Sequence, residues 1–287
     1  MIKKRIKKTI KKNLMFIIFL LIIFSCNKNN IIERNEIEPN DSHEYAQFID
    51  SNILIKANLN SEDADYYNIS PTNGFIMDFS IKSENHNNID LEILDENAEK
   101  SLFKIKTKDI LNYNGKIEMK DLILRNDNFF FKLTSEESKN EFNYKISFNF
   151  KNEYMHKTET EINDNFQSAN IIDYPNQIIY GYFIKNYNEK ILIDENIKPY
   201  LKNENIIDID FYSIENETDI DASINIILEY KRDIEIILFD KDYNYIKKAK
   251  NKLSADFKSG YKYYIALAFY GEKYLIDRYS LYYIFLF

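Results

Sequence analysis

The chain repeats itself, and that duplication limits what it can fold into more than any other feature. Glu36-Ile37-Glu38-Pro39-Asn40-Asp41-Ser42, followed by Ala46 and Ile49, returns as Glu159-Thr160-Glu161-Ile162-Asn163-Asp164-Asn165, followed by Ala169 and Ile172, at a constant offset of 123. Asp63-Ala64-Asp65-Tyr66-Tyr67-Asn68-Ile69 returns as Asp208-Ile209-Asp210-Phe211-Tyr212-Ser213-Ile214, and Leu91 to Asp95 as Ile236 to Asp240, at an offset of 145. The difference of the two offsets leaves the second copy 22 extra residues between Phe183 and Asn205, a polar stretch that reads as a loop. Phe129 to Leu133 matches Tyr263 to Leu267, and Tyr144 to Phe148 matches Tyr279 to Tyr283. With a boundary near Asn152, residues 34–152 and 153–287 form two units of ordinary domain size.

Each copy reads as short strands joined by polar turns. The chain holds 23 Tyr and 21 Phe against five Gly and four Pro, and aromatic and β-branched residues favour half-buried pleated surfaces. Strands are predicted at Tyr66–Ile69, Ile76–Ile81, Leu91–Leu94, Phe129–Leu133 and Tyr144–Phe150. Ser42 to Ile49 is expected to make one short helical turn capped by Asp41 or Ser42. Many short strands and no long amphipathic helix predict an all-β chain of two tandem β-sandwich domains.

The N-terminus carries a different signal. Lys3, Lys4, Arg5, Lys7, Lys8, Lys11 and Lys12 precede the apolar run Leu14 to Phe24. A basic flank, a short apolar core and a small residue make a secretory signal, and the run is too short for an uncleaved spanning helix, which needs about 20 residues. Ile23-Phe24-Ser25-Cys26 resembles a bacterial lipobox. The resemblance implies that residues 1–25 are a lipoprotein signal peptide. It also implies that Cys26, the sole cysteine, carries diacylglycerol and a further acyl chain such as palmitate. Residues 26–33 are then a lipidated tether, because several acyl chains together anchor a protein stably. The expected location is the bacterial cell envelope, on the outer surface of the cytoplasmic membrane or at the outer membrane. Residues 1–25 hold seven of the 38 Lys and Arg and none of the 46 Asp and Glu, so without them the formal net charge falls from −8 to −15. Such a surface repels nucleic acid and suits cations or basic partners.

The repeated residues resemble the bacterial pre-peptidase C-terminal domain, whose signature runs E-x-E-P-N-D/N-S, then D-x-D-Y-F/Y, then a late tyrosine strand. The first copy has Glu36, Glu38, Pro39, Asn40, Asp41, Ser42, Ala46, Asp63, Asp65, Tyr66 and Tyr67. The second has Glu159, Glu161, Asn163, Asp164, Ala169, Asp208, Asp210, Phe211 and Tyr212, with Ile162 and Asn165 replacing the proline and serine. The usual glycine is Ala57 in the first copy and Gly181 in the second. The resemblance implies jelly-roll-like sandwiches, non-catalytic companions of exported peptidases, and in collagenase relatives calcium and collagen binding.

Calcium takes six to eight oxygen ligands, which carboxylates and amides supply. Glu36, Glu38, Asn40, Asp41, Asp63 and Asp65 form one candidate set, and Glu159, Glu161, Asn163, Asp164, Asp208 and Asp210 the other. The plain alternative is turn chemistry, because Asn, Asp and Pro39 also close turns. No catalytic constellation stands out: His43, His86 and His156 lack metal-ligand spacing, and there is no nucleophile elbow or Gly-rich phosphate loop. The tyrosines crowding residues 261–283 read as sandwich core rather than binding surface. The expected function is a lipid-anchored, non-catalytic envelope protein binding a matrix or envelope partner, with calcium sites. The alternatives are an accessory envelope lipoprotein without external ligand, or an accessory subunit of a secreted peptidase.

Overall fold

The computed structural model describes residues 31–70, 76–124, 128–135, 140–151, 159–161, 163–172, 178–183, 197–202, 206–271 and 278–286. Cys26, the signal segment, His156 and the expected boundary at Asn152 lie outside these. Strands dominate. Those of the first copy are β1 (Ile32–Asn35), β2 (Gln47–Ile49), β3 (Ile53–Leu59), β4 (Ala64–Ile69), β5 (Ile76–Ser83), β6 (Asp90–Leu94), β7 (Ser101–Ile105), β8 (Lys116–Leu124), β9 (Phe129–Thr134) and β10 (Phe142–Lys151). Those of the second are β11 (Thr160–Glu161), β12 (Asn170–Ile172), β13 (Ile178–Tyr182), β14 (Ile206–Glu215), β15 (Ala222–Glu229), β16 (Glu235–Asp240), β17 (Tyr245–Lys250), β18 (Lys252–Phe257), β19 (Lys262–Tyr270) and β20 (Arg278–Leu286). Among the described residues, helical structure is limited to single 3₁₀ turns.

The duplication is visible in the strand order. In the first copy one sheet runs β2-β4-β9-β6-β7 and the other β1-β3-β10-β5-β8. In the second copy β12-β14-β19-β16-β17 repeats the first order and β13-β20-β15-β18 the last four strands of the other. Both copies also pair a three-residue strand in parallel, Gln47 opposite Tyr67 and Asn170 opposite Tyr212. Each expected strand of the first copy is found, longer by up to two residues at an end. The expected helical turn shrinks to His43–Tyr45, and Ser42 precedes it without a side-chain cap, because Gln47–Ile49 is drawn into the sheet beside β4.

Alternation along the strands builds the core. β3 buries Ile53, Ile55, Ala57 and Leu59, and β10 buries Phe142, Tyr144, Ile146 and Phe148. Phe131 meets Phe79 and Phe148 edge-to-face at 4.9 and 5.3 Å, and removing such a ring from water stabilises by about 1.5–3 kcal/mol.

The second copy departs from one-sided burial. β14, β16 and β19 are buried on both faces. A second cluster of Phe166, Ile197, Phe211, Ile237, Phe239, Tyr264 and Ala266 covers the outer face of their sheet, with Tyr200 packed against it. Ile197 and the Lys198–Tyr200 turn belong to the extra segment. The sequence adjusts to that cover: the cross-strand pair Glu92 and Lys132 of the first copy becomes Ile237 and Ala266.

The copies meet at β8. Its residues Ile123 and Leu124 pair in parallel with Thr160 and Glu161 of β11. The Lys120 amide donates to Tyr182 Oη at 2.8 Å, and that hydroxyl lies 3.1 Å from the Lys120 carbonyl. Asp121, buried, accepts from Lys151 at 2.6 Å and from Arg278 at 2.8 Å, and Arg278 lies over the Tyr180 ring.

Candidate metal centres

The lead-in segment folds back onto β4, and that contact assembles the acidic groups. The Tyr66 amide donates to the Asn40 carbonyl at 3.0 Å, and the Glu36 amide to the Lys56 carbonyl at 2.9 Å. One oxygen each of Glu36, Glu38 and Asp65 then lies within 4.8 Å of the others. The second copy repeats the construction. Phe211 donates to the Asn163 carbonyl and Glu159 to the Tyr180 carbonyl, both at 2.9 Å. Glu159, Glu161 and Asp210 come together, and so do Asp164, Asp208 and Asp210.

The side-chain contacts match pair by pair. Asn40 Nδ2 donates to Glu36 at 3.0 Å, and Asn163 Nδ2 to Glu159 at 3.2 Å. The Tyr67 hydroxyl reaches Glu36 at 2.8 Å, and the Tyr212 hydroxyl reaches Glu159 at 2.6 Å. Tyr67 and Tyr144 place their hydroxyl oxygens 2.7 Å apart, and Tyr212 and Tyr279 place theirs 2.5 Å apart. Tyr144 contacts Asp65, and Tyr279 lies 2.8 Å from Asp210. Tyr67 and Tyr144, on β4 and β10, form the floor of the first centre, and Tyr212 and Tyr279, on β14 and β20, that of the second.

No positive side chain balances these carboxylates in the main interactions that set their acidity. Burial, then the charge of Glu36, pushes Asp65 up to about 9. Burial, then the charges of Glu159, Asp208 and Glu161, raises Asp210 well above the carboxylate range. Burial raises Glu38, Glu159 and Glu161 as well. In the first copy three oxygen–oxygen contacts run from Asp65 through Tyr144 and Tyr67 to Glu36, but the two hydroxyls carry only two protons. Tyr144 donates to Asp65 and Tyr67 donates to Glu36, and the two hydroxyl oxygens meet between them at 2.7 Å.

The donor set fits calcium. All the gathered atoms are oxygens, as a hard cation requires. Several have no hydrogen-bond partner although fully shielded: Asn40 Oδ1, Asp65 Oδ1, Glu161 Oε1, Asn163 Oδ1 and Asp210 Oδ1. Buried acceptors are normally satisfied, and each orphan costs about 1–3 kcal/mol.

The expected residues are distributed unevenly. Asp164 and Asp208 join the second centre. Asp63 is half-buried beside the first, with its carboxyl in contact with Asp41, which is exposed. His43 and His86 are exposed. Sequence reasoning set Tyr67 and Tyr144 among the strand residues and Tyr279 in the core. The usable signal was that Tyr67 and Tyr144 return as Tyr212 and Tyr279, while the neighbours Tyr66 and Lys145 become Phe211 and Ser280.

No family model matches the chain, and no curated protein matches it. Among solved structures, the pre-peptidase C-terminal domain of a collagenase from Bacillus anthracis is similar at 20% identity, covering 40% of this chain and 93% of that one with a TM-score of 0.24. The CUB1-EGF-CUB2 domain of human MASP-1/3 is similar at 12% identity, covering 81% of this chain and 99% of that one, TM-score 0.24. Tandem CBM51 modules of a family 98 glycoside hydrolase from Streptococcus pneumoniae are similar at 10% identity, covering 80% and 83%, TM-score 0.24. At TM-scores this low none of these likenesses bears on what the chain binds.

Proposed function

We propose that the chain is a lipid-anchored, non-catalytic binding protein of the bacterial cell envelope. In this reading it is built of two tandem modules of the pre-peptidase C-terminal type, each holding a calcium ion at its acidic lead-in. Cys26 carries the acyl chains, and residues 26–33 tether the modules to the membrane. The partner is a matrix or envelope protein, and catalysis has no part in the reading.

One observation carries the calcium reading: the same carboxylate–amide–tyrosine network is built twice, and each time leaves shielded oxygens without partners. Turn chemistry accounts for acidic residues in an exposed loop. It does not account for orphaned acceptors on Asn40, Asp65, Asn163 and Asp210, all fully buried. A dication would satisfy them and offset the mutual repulsion of the acids.

Three measurements test the reading. A higher melting temperature in calcium than in EDTA supports the metal, and equal melting temperatures reject it. Retention on immobilised collagen or other matrix proteins supports an external ligand, and uniform silence favours an accessory envelope lipoprotein. A Cys26→Ala variant should leave the membrane fraction, and its unchanged retention there rejects the anchor.

A further inference from the structure

The two centres share a hydrogen-bond pattern but not an environment. Glu159, Glu161 and Asp210 are all buried. Of their counterparts, Asp65 is buried, Glu36 is half-exposed and Glu38 is exposed. Glu36 and Glu38 also line a cavity of about 760 Å³ that reaches over β3 and β10. Five carboxylates, among them Asp63, Glu84 and Glu141, outnumber the lysines Lys56 and Lys145 in its wall. The amides of Asn58, Asn60 and Asn143 fill much of the remainder, with no exposed aromatic ring.

We infer that the duplicated centres have diverged into a closed, structural cation site in the second copy and an open, exchangeable one in the first. This rests on the calcium reading above. In the second copy Glu159, Glu161 and Asp210 gather one oxygen each, Asp164 and Asp208 gather with the same Asp210, and all but the half-buried Asp164 are closed off from solvent, as suits an enclosed cation that accepts six to eight oxygens. In the first copy the gathered set is Glu36, Glu38 and Asp65, and because Glu36 and Glu38 line the open cavity, the remaining positions of a cation held there are left to water or to an incoming oxygen donor. The fully buried Asp65 and Asn40, each with an unpartnered oxygen, fix the floor of that open site. The acidic wall disfavours an anionic donor, because a dication does not outweigh all five carboxylates. The ligand class the cavity fits is therefore neutral and oxygen-rich, such as the hydroxyl pairs of a saccharide.

Europium in place of calcium distinguishes the sites, since its luminescence decay in H₂O and D₂O counts coordinated waters. The wild-type chain should show two populations. One should be nearly anhydrous and slow to release europium to EDTA, the other should hold about two or more waters and release it fast. Asp210→Asn should abolish the dry population. Glu38→Gln, at an exposed position that does not threaten folding, should weaken only the hydrated one. Adding methyl glycosides with vicinal hydroxyls should lower the water count of the hydrated population alone. Two equally hydrated populations, or loss of the hydrated one in Asp210→Asn alone, overturn the division of roles. An unchanged water count across the glycosides overturns the ligand class. Absence of europium binding overturns the calcium reading itself, together with this inference.

Discussion

Tyr279 lies 2.8 Å from Asp210, and Tyr144, its counterpart in the first copy, makes the same contact with Asp65. Each tyrosine reaches across from the last strand of its copy to the carboxylate on the strand against which the lead-in segment folds, β14 or β4. The pairing joins the two sheets of each copy and holds the acid in the interior.

Removing the Tyr144 hydroxyl takes a partner from both Asp65 and Tyr67 while keeping the ring in the core. Tyr144→Phe should therefore destabilise the protein by about 1–3 kcal/mol and weaken calcium binding at the first centre only. Denaturant unfolding and a calcium titration check this. A variant as stable as wild type contradicts the network.

The raised pKa of Asp65 has a pH signature. Without a cation its folded value is about 9 against 3.8 in the unfolded chain. Folding therefore favours the protonated form, so this contribution to stability is full below about pH 4 and is lost as pH rises towards 9. In EDTA, stability should fall between pH 5 and pH 9, and calcium should remove much of the fall. Binding at pH 7 should also expel protons. Titrations in buffers of different ionisation enthalpy read the number released, and a value of zero contradicts the raised pKa of Asp65.

Gly181 fills its role because a side chain does not fit there. A Cβ would lie 2.2 Å from Glu159 Oε1 and 2.4 Å from Tyr279 Cζ. Gly181→Ala should cost about 1–3 kcal/mol and damage the second centre. The first copy accommodates Ala57 at the matching position, so Ala57→Gly should cost about 1 kcal/mol or less. Thermal melts of the two variants give the comparison, and equal effects contradict it.

Asp121 holds Lys151 of the first copy and Arg278 of the second. Both partners keep some exposure, so Asp121→Ala should cost about 1–3 kcal/mol, less than a fully buried network. Because one of the lost contacts, to Arg278, joins the copies, calorimetry should resolve a single unfolding transition into two. Persistence of one transition at the same temperature contradicts a role for Asp121 between the copies.

The duplication was legible because the acidic lead-in and the D-x-D strand keep their spacing in both copies, and the strand order repeats accordingly. The gathering of Glu36 and Glu38 with Asp65 was legible too, since both segments alternate and only one fold-back joins them. The tyrosine floor was hidden by distance: Tyr144 stands 79 residues beyond Asp65, and alternation alone says only that it points inward. The double burial of β14, β16 and β19 was hidden as well. It depends on Ile197 and Tyr200 of the extra segment lying over them, which no local pattern encodes. Its trace was the loss of charge at Ile237 and Ala266, where the first copy has Glu92 and Lys132.

Calorimetric titration of the metal-stripped chain with calcium tests the duplicated centre most directly. Two binding events are expected, one lost in Asp65→Asn and the other in Asp210→Asn, each variant keeping its fold. No heat beyond dilution, or two events that survive both substitutions, contradicts a cation site built on these two carboxylates.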